Sequence, residues 1–501
     1  MAEDPHAIPS EAATDEVALP RDPEAAQHAL AEVQELLRQF TLVRSLAERE
    51  RYGEDEERHR LAEQVVERQH LTRIAERLAT YHPADIAYVL EALPPDERIL
   101  VWDQVREEVD GLVLVEVSEA VREALVRAMD HHEMVRAAAS LDTDELAELA
   151  PELPGAVVEE VRRGLSAEER AQLSAALSYP EDSVGARMDY DVVTVPGDGS
   201  IETVLRDLRT LDEWPDHTDQ IFVVDTSERL VGVVPIARLL INPPEARIED
   251  VMLRDTLTLD ALNDASDAAQ AFERYDLVSA PVIDASGRLV GRLIVSEVVD
   301  YIREESDSDM FSKAGLREEE DLFGSVWESA RNRWLWLALN LCTAFFASRV
   351  IGLFEGTIER VVALAALMPI VAGIAGNSGN QTMTLFIRSL ALGQANEANA
   401  RRLLVKELGI AAMNGLVWGG VAGLVAWWLY RESAQGPLLG FTMTLAMILN
   451  LLLGAIIAMA VPLALQRFGR DPAIGSSVLL TFSTDSMGFF IFLGLATLLF
   501  L

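Results

Sequence analysis

From Val361 to Ile387, and again from Ser433 to Gln466, the chain carries no charged residue. A helix in water cannot sustain so long an uncharged run, because its outer face would offer nothing to the solvent. A bilayer can accept one, since its hydrocarbon core takes roughly 20 apolar residues to cross as a helix. Beyond Arg333 there are enough apolar residues for five spans, at 334–353, 362–387, 409–430, 438–465 and 476–500. Trp334, Trp336, Trp427, Trp428 and Tyr430 fall near span ends, where amphipathic rings anchor at the level of the lipid headgroups. With the N-terminus inside, the cytoplasmic segments hold Arg331, Arg333, Arg388, Arg401, Arg402, Lys406, Arg467 and Arg470, against Arg349, Arg360 and Arg431 outside. That bias sets the N-terminus in the cytoplasm and, with five spans, the C-terminus outside. The opening Met1-Ala2-Glu3-Asp4 places acids where a secretory signal needs positive charge, which points the same way.

The remainder of the chain is of opposite character. The totals are 42 Lys/Arg and 81 Asp/Glu; 11 and 7 of these lie from Arg331 onward, leaving 31 basic and 74 acidic residues in the first 330 positions, a balance of −43. At 501 residues several domains are expected. So acidic a surface argues against nucleic acid, which selects basic faces. It suits weak binding of hard cations through carboxylate oxygens, although most single carboxylates in it need no role beyond solvation. The single cysteine, Cys342, excludes a disulfide framework and a cysteine-based zinc site, and it reads as a small packing residue.

Within the spans the polar residues are informative. The second span runs Pro369-Ile-Val-Ala-Gly373-Ile-Ala-Gly376-Asn377-Ser378-Gly379-Asn380-Gln381-Thr382. Glycine and serine let helices approach closely, so helix packing accounts for part of this. Packing has no need of Asn377, Asn380 and Gln381 together, whereas amide oxygens and freed carbonyls are suitable ligands along a cation path. The last span carries Asp485 in Thr481-Phe-Ser483-Thr484-Asp485-Ser486-Met-Gly488. From a helix start near Ser476, it lies roughly 15 Å deep at 1.5 Å per residue. A carboxylate there costs ~2.5–3.5 kcal/mol on insertion scales, so it should face a wet interior or a cation. No Lys or Arg near mid-span is available to neutralise it. A lone mid-membrane aspartate also suits a proton relay, so its surroundings decide; the hydroxyls of Thr481, Ser483, Thr484 and Ser486 suit the water shell of a metal ion. Mg2+ sheds water reluctantly and is held through one or two carboxylates. In a symmetric dimer Asp485 becomes such a pair.

Residues 1–56 read as a disordered or partly helical acidic extension, with a charged helix over Pro23–Glu50; a solubilising tail explains it better than a partner-binding arm. Residues 57–178 read as an all-α repeat domain of short helices, with start signals at His82-Pro83-Ala-Asp85, Pro94-Pro95-Asp96-Glu97 and Asp142-Thr-Asp144-Glu145. His70, His82, His131 and His132 form no metal-ligand motif, and His131-His132 reads as an exposed loop pair. Residues 179–305 hold an internal repeat: Val224-Asp225-Thr-Ser-Glu-Arg229-Leu-Val-Gly232 recurs as Ile283-Asp284-Ala-Ser-Gly287-Arg288-Leu-Val-Gly291, each copy reading strand, Asp-led turn, strand, helix. This α/β repeat resembles tandem CBS motifs (179–244 and 245–305), which pair into one module and often bind adenine nucleotides, so ATP is a candidate ligand. Residues 306–332 read as a connecting, plug-like helix, and 333–501 as a five-helix transmembrane domain in contact with lipid.

Taken together, domain order and motifs resemble the MgtE family of magnesium channels and transporters over nearly the whole chain. Pro369 to Gln381, and Asp471-Pro472 through Asp485-Ser-Met-Gly488, carry the resemblance most specifically. It implies an inner-membrane homodimer whose ion path runs between the membrane domains, lined by the second and fifth spans. Pore-lining positions are then Gly376, Asn377, Gly379, Asn380, Gln381, Thr481 and Thr484, with Asp485 as the ion-binding aspartate. Glu359 and Asp471 stand where acids near the pore are expected, and where ordinary interfacial charges also stand.

Regulation follows from charge. Acidic faces repel unless a divalent cation bridges them. Asp307 and Asp309, in Arg303-Glu304-Glu305-Ser-Asp307-Ser-Asp309, are expected to bind Mg2+ against acids of the helical and CBS domains. The linking helix, with Glu318, Glu319, Glu320 and Asp321, then shuts the pore when cytoplasmic Mg2+ is high. Mg2+ is thus expected as both cargo and regulator. The rivals are transport of Co2+, Ni2+ or Mn2+, disfavoured for a soft-metal specialist because the motifs offer oxygen ligands, and a membrane-anchored CBS nucleotide sensor, which has no use for Asp485. With no nucleophile–base pair, P-loop or catalytic metal cluster, an enzyme is not expected.

Overall fold

The structure is a computed structural model, describing residues 24–49, 56–210, 214–215, 217–314, 316, 321–391, 394–395, 397–468, 472 and 475–501. Two compact units emerge: Met1–Glu304 with Asp321–Gly324, and Glu305–Glu320 with Ser325–Leu501.

Among the described residues the first unit begins with ten α-helices: α1 (Ala25–Arg49), α2 (Glu56–Leu78), α3 (Pro83–Glu91), α4 (Pro95–Trp102), α5 (Asp110–Glu116), α6 (Glu119–Ala128), α7 (His131–Ala139), α8 (Thr143–Leu149), α9 (Gly155–Gly164) and α10 (Ala167–Ala176). Their starts follow the local chemistry. Pro83 and Pro95 stand at first helical positions, where a missing N–H costs nothing. Asp130 with Glu133, and Ser166 with Glu169, close reciprocal capping boxes. His131 and His132 therefore form the first turn of α7 rather than a loop, because Asp130 caps them; both remain exposed. Val33, Leu37, Ile74, Leu90, Val113, Leu125 and Leu149 share one core, each contributing roughly 1.5–3 kcal/mol by burial. Ala29, Val33 and Leu37 belong to α1, so that stretch is a packed element rather than a solvated tail.

Two small sheets follow. In the first, β1 (Thr194–Pro196) runs parallel to β2 (Gln220–Val224), which pairs antiparallel with β3 (Leu230–Pro235). In the second, β4 (Leu259–Asp260), β5 (Ser279–Ile283) and β6 (Leu289–Ile294) repeat that order and sense. Helices α11 (Ile201–Leu208), α12 (Ile236–Ile241), α13 (Ile248–Val251) and α14 (Ala265–Tyr275) surround them, and α15 (Val295–Ala314) leaves the module. The repeat survives in atomic detail. Asp225 accepts from the amides of Ser227 and Arg229, and Asp284 from those of Ser286 and Arg288. The halves then exchange backbone bonds, Leu230 N to Gly287 O (3.2 Å) and Leu289 N to Glu228 O (3.0 Å).

The expected connecting helix is interrupted. α15 ends at Ala314, and α16 starts at Val326. Between them Asp321 forms a turn, its Oδ1 accepting from Phe323 N and its carbonyl from Gly324 N. An aspartate that bonds its own neighbours competes with the helix ladder. Glu318, Glu319 and Glu320 lie outside the described residues.

The second unit is helical: α16 (Val326–Gly352), the short α17 (Glu355–Arg360), α18 (Ala363–Ala391), α19 (Glu397–Leu429), α20 (Gly436–Arg467) and α21 (Ser476–Phe500). Among the described residues four helices are long and apolar enough to cross a membrane, in Ser329–Gly352, Asn399–Leu429, Gly436–Arg467 and Ser476–Phe500. α18, at 29 residues, has the length, but its polar run lowers its hydropathy. α18, α20 and α21 pack around Leu364, Val371, Met443, Met447, Phe492 and Leu493, which are buried. Leu335, Leu341 and Phe345 on α16 stay exposed, as on a lipid-facing helix.

Candidate functional site

The polar residues of α18 and α21 meet across a seam built for close approach. Pro369 inside α18 removes one backbone donor and frees the carbonyl one turn earlier. A Cβ at Gly376 would sit 3.5 Å from Thr484 Oγ1, and one at Gly379 only 2.9 Å from the Leu480 side chain. On α20, a Cβ at Gly454 would lie 3.1 Å from the Ala375 carbonyl. Small residues thus draw three helices together, as membrane packing favours.

Asp485 is half-buried on α21, directly after the fully buried Thr484. Asn377, Asn380 and Gln381 are exposed on the single chain. Thr484 spends its hydroxyl proton on its own helix (Leu480 O, 3.0 Å), and so does the exposed Thr481 (Ser477 O, 2.9 Å). Such a hydroxyl keeps its lone pairs for donors such as metal-bound water. Only Thr481 is positioned to use them in the single chain, since Thr484 faces Gly376 and Gly454. Ser483 also bonds back, to Leu479 O, and Ser486 is buried.

The other anticipated acids are scattered. Glu359 is exposed on α17, whose Thr357 bonds Thr497 of α21 at 2.8 Å. Thr497 stands twelve residues beyond Asp485, about 18 Å along the helix, so Glu359 and Asp485 are not brought together. Asp471 lies outside the described residues. Asp307 is exposed on α15, and Asp309 is on the same helix. Among the described residues, no three His, Cys, Asp or Glu side chains converge as a metal cage. Two polar features went unread in the sequence. Glu407 of α19 accepts from Thr382 Oγ1 at 3.0 Å, and Asn450, fully buried on α20, donates to Val371 O and Thr484 O at 3.2 Å each. The signal for Asn450 was its position, a lone amide deep in a charge-free span.

A second constellation lies within the first unit, where α8 meets the CBS module near α15. Burial pushes Glu297 up to about 8, reinforced by Asp144, Glu148 and Asp300, against the opposing pull of Arg187. Burial raises Asp144 to about 7, with Asp189 adding to it. Glu116 and Asp300 are raised as well, each first by burial and then by a like charge, Asp300 for Glu116 and Glu304 for Asp300. Arg187 binds Glu304 at 2.6 Å and stacks over Tyr301. Asp189 is spent on the buried Arg292, 2.6 Å away. Carboxylates here outnumber the guanidinium groups able to neutralise them. Of these acids only Glu304 belongs to the segment read as a sensor from the sequence, since only packing shows which carboxylates face one another.

Stretches of the chain match models of known protein families. Residues 368–495 match the family described as "Divalent cation transporter", 81–182 the MgtE intracellular N domain, and 183–242 and 248–304 the CBS domain. The magnesium transporter MgtE of Thermus thermophilus is 30% identical over 434 residues, covering 82% of this chain and 94% of that protein. The one from Bacillus subtilis is 27% identical over 415 residues, covering 83% and 91%. Among solved structures, the cytosolic domain of the Mg2+ channel MgtE in complex with ATP aligns over 48% of this chain and 98% of its own, at 26% identity and a TM-score of 0.43. The chain belongs to the MgtE family of magnesium transporters, a membrane protein with an intracellular helical domain and a CBS pair, and not an enzyme.

Proposed function

We propose that the chain passes Mg2+ across the inner membrane as a homodimer, with its N-terminus cytoplasmic and its C-terminus outside, along a path between the α18 and α21 helices of the two subunits. The observation that carries this reading is Asp485. It is the one charged residue of α21, only half-buried, beside a helix that exposes Asn377, Asn380 and Gln381. Two symmetry-related aspartates give a hydrated Mg2+ the one or two carboxylates it takes, with water retained. Oxygen-only donors disfavour a site made for softer metals.

We further propose that cytoplasmic Mg2+ gates the path by neutralising the acids that face one another around α8 and α15. Their raised protonation comes first from burial and then from like charge, and it is the like-charge part that a divalent cation between them would relieve. ATP, proposed as a ligand of the CBS pair on the strength of its tandem repeat, would show itself as heat on titration into the purified protein. For Mg2+, the test is flux into liposomes carrying wild type or Asp485→Ala. Flux lost in the variant, and falling in wild type as Mg2+ rises on the cytoplasmic side, supports path and feedback together. Wild-type flux in Asp485→Ala rules out the carboxylate as the ion site.

A further inference from the structure

We propose that Asn450 is a positioning residue for the ion path, holding Asp485 in place by clamping α21 to α18. This rests on the reading of Asp485 as the ion-binding carboxylate. Asn450 is fully buried, and its Nδ2 forks to one carbonyl on each helix, Val371 of α18 and Thr484 of α21. The Thr484 carbonyl belongs to the peptide whose nitrogen is that of Asp485, so the clamp acts on the backbone unit that bears the carboxylate.

Three further observations converge on this amide. Gly488, one turn beyond Thr484, leaves the space it occupies: a Cβ there would lie 2.4 Å from Asn450 Nδ2. Gly454, one turn beyond Asn450 on α20, lets the same helix face approach the Ala375 carbonyl of α18 and the Thr484 side chain of α21. Among the described residues no N–H or O–H is placed to donate to Asn450 Oδ1, so the contacts of this amide to the protein run through Nδ2 alone. Both bonds of this donor go to the helices of the path.

The test is the ratio of Mg2+ to Co2+ flux in liposomes, which is independent of how many molecules fold. It is measured for full-length wild type, Asn450→Leu, Asn450→Ala, Gly488→Ala, the Asn450→Ala/Gly488→Ala double variant, and Asp485→Ala. Positioning predicts that Asn450→Leu and Gly488→Ala each lower the ratio roughly fivefold or more, and that the double variant is no worse than Asn450→Ala. Should Asn450→Leu not fold, Gly488→Ala carries the test alone, since it leaves every hydrogen-bonding group in place. A folded Gly488→Ala without flux supports the clamp if Asn450→Ala restores conduction, and counts against it if not. Lower thermal stability with a wild-type ratio and an unchanged half-saturating Mg2+ concentration would mean Asn450 only holds the fold, and would overturn the proposal. Wild-type flux in Asp485→Ala overturns the path reading instead, so the two failures are distinct.

Discussion

Glu297 and Asp144 make the packing of the cytoplasmic unit depend on pH in a definite direction. Both carboxyls titrate higher in the folded protein, at about 8 and about 7, than the roughly 4 of an unfolded chain. Between those limits the folded state binds more protons, so stability falls as pH rises through the window and is fully present only below it. Without divalent cations, the thermal midpoint of the cytoplasmic unit is expected to drop between about pH 6 and about pH 8.5. Glu297→Gln keeps the shape and removes the charge; it should raise stability by about 1 kcal/mol at the upper pH, a figure held low because Glu297 is only half-buried. Mg2+ takes deprotonated carboxylates, so its stabilising effect should be larger at the upper pH and smaller in the variant. Melting curves with and without Mg2+ at both pH values check this. An equal pH dependence in Glu297→Gln would move the origin of the effect away from this residue.

At the scale of elements, the turn between α15 and α16 is held by a buried ion pair. Arg98 of α4, whose side chain is 1% exposed, donates to both Asp321 oxygens (2.7 and 3.1 Å) and to the carbonyls of Leu90 and Leu93. Burial pushes the Asp321 carboxyl up, and the Arg98 bonds, the Phe323 amide and the Arg98 charge together outweigh it and hold it below the usual range. Removing one partner strands the other charge, which typically costs about 3–5 kcal/mol. Asp321→Ala should therefore destabilise the cytoplasmic unit by about 3 kcal/mol in urea unfolding and expose the amides of Asp321–Gly324 to hydrogen exchange, whereas Arg98→Met/Asp321→Ala should cost much less. Equal losses in the two would mean the pair is not coupled. This pair also marks where sequence reading stops. Helix starts were legible where Pro83, Pro95 and Asp142 act on their own neighbours, though the same signal at Asp130 was passed over, and the sheets because Asp225 and Asp284 repeat one turn. Asp321 read as one more acid in a linking helix, since its partner stands 223 positions away. α1 read as solvated because its buried Val33 and Leu37 are interleaved with charges. Asp485 was legible because a charge stands out in an apolar span, while Asn450 and Gly488 gain meaning only once three helices are packed.

For the whole molecule, the balance of −43 over the first 330 residues sets two effects of salt that can be separated. Any salt screens charges on the solvated surface, over about 8–10 Å near physiological ionic strength. Partly buried acids such as Glu297 and Asp144 are screened much less, because the low-dielectric surroundings that raise their protonation also keep diffuse ions away. A divalent cation bridging facing carboxylates would relieve both, whereas sodium relieves only the first. Limited proteolysis of the full-length protein should therefore show protection of the cytoplasmic unit rising with Mg2+ along a saturable curve. NaCl at matched ionic strength should reach only part of that protection. If the facing acids are the gate, the Mg2+ concentration for half-maximal protection should coincide with that for half-maximal inhibition of flux, since both report one equilibrium between packed and separated faces. Protection that NaCl reproduces in full would reduce the acidic half to a screened polyanion. Protection by Mg2+ at a concentration far from that of inhibition would place the gate on other carboxylates.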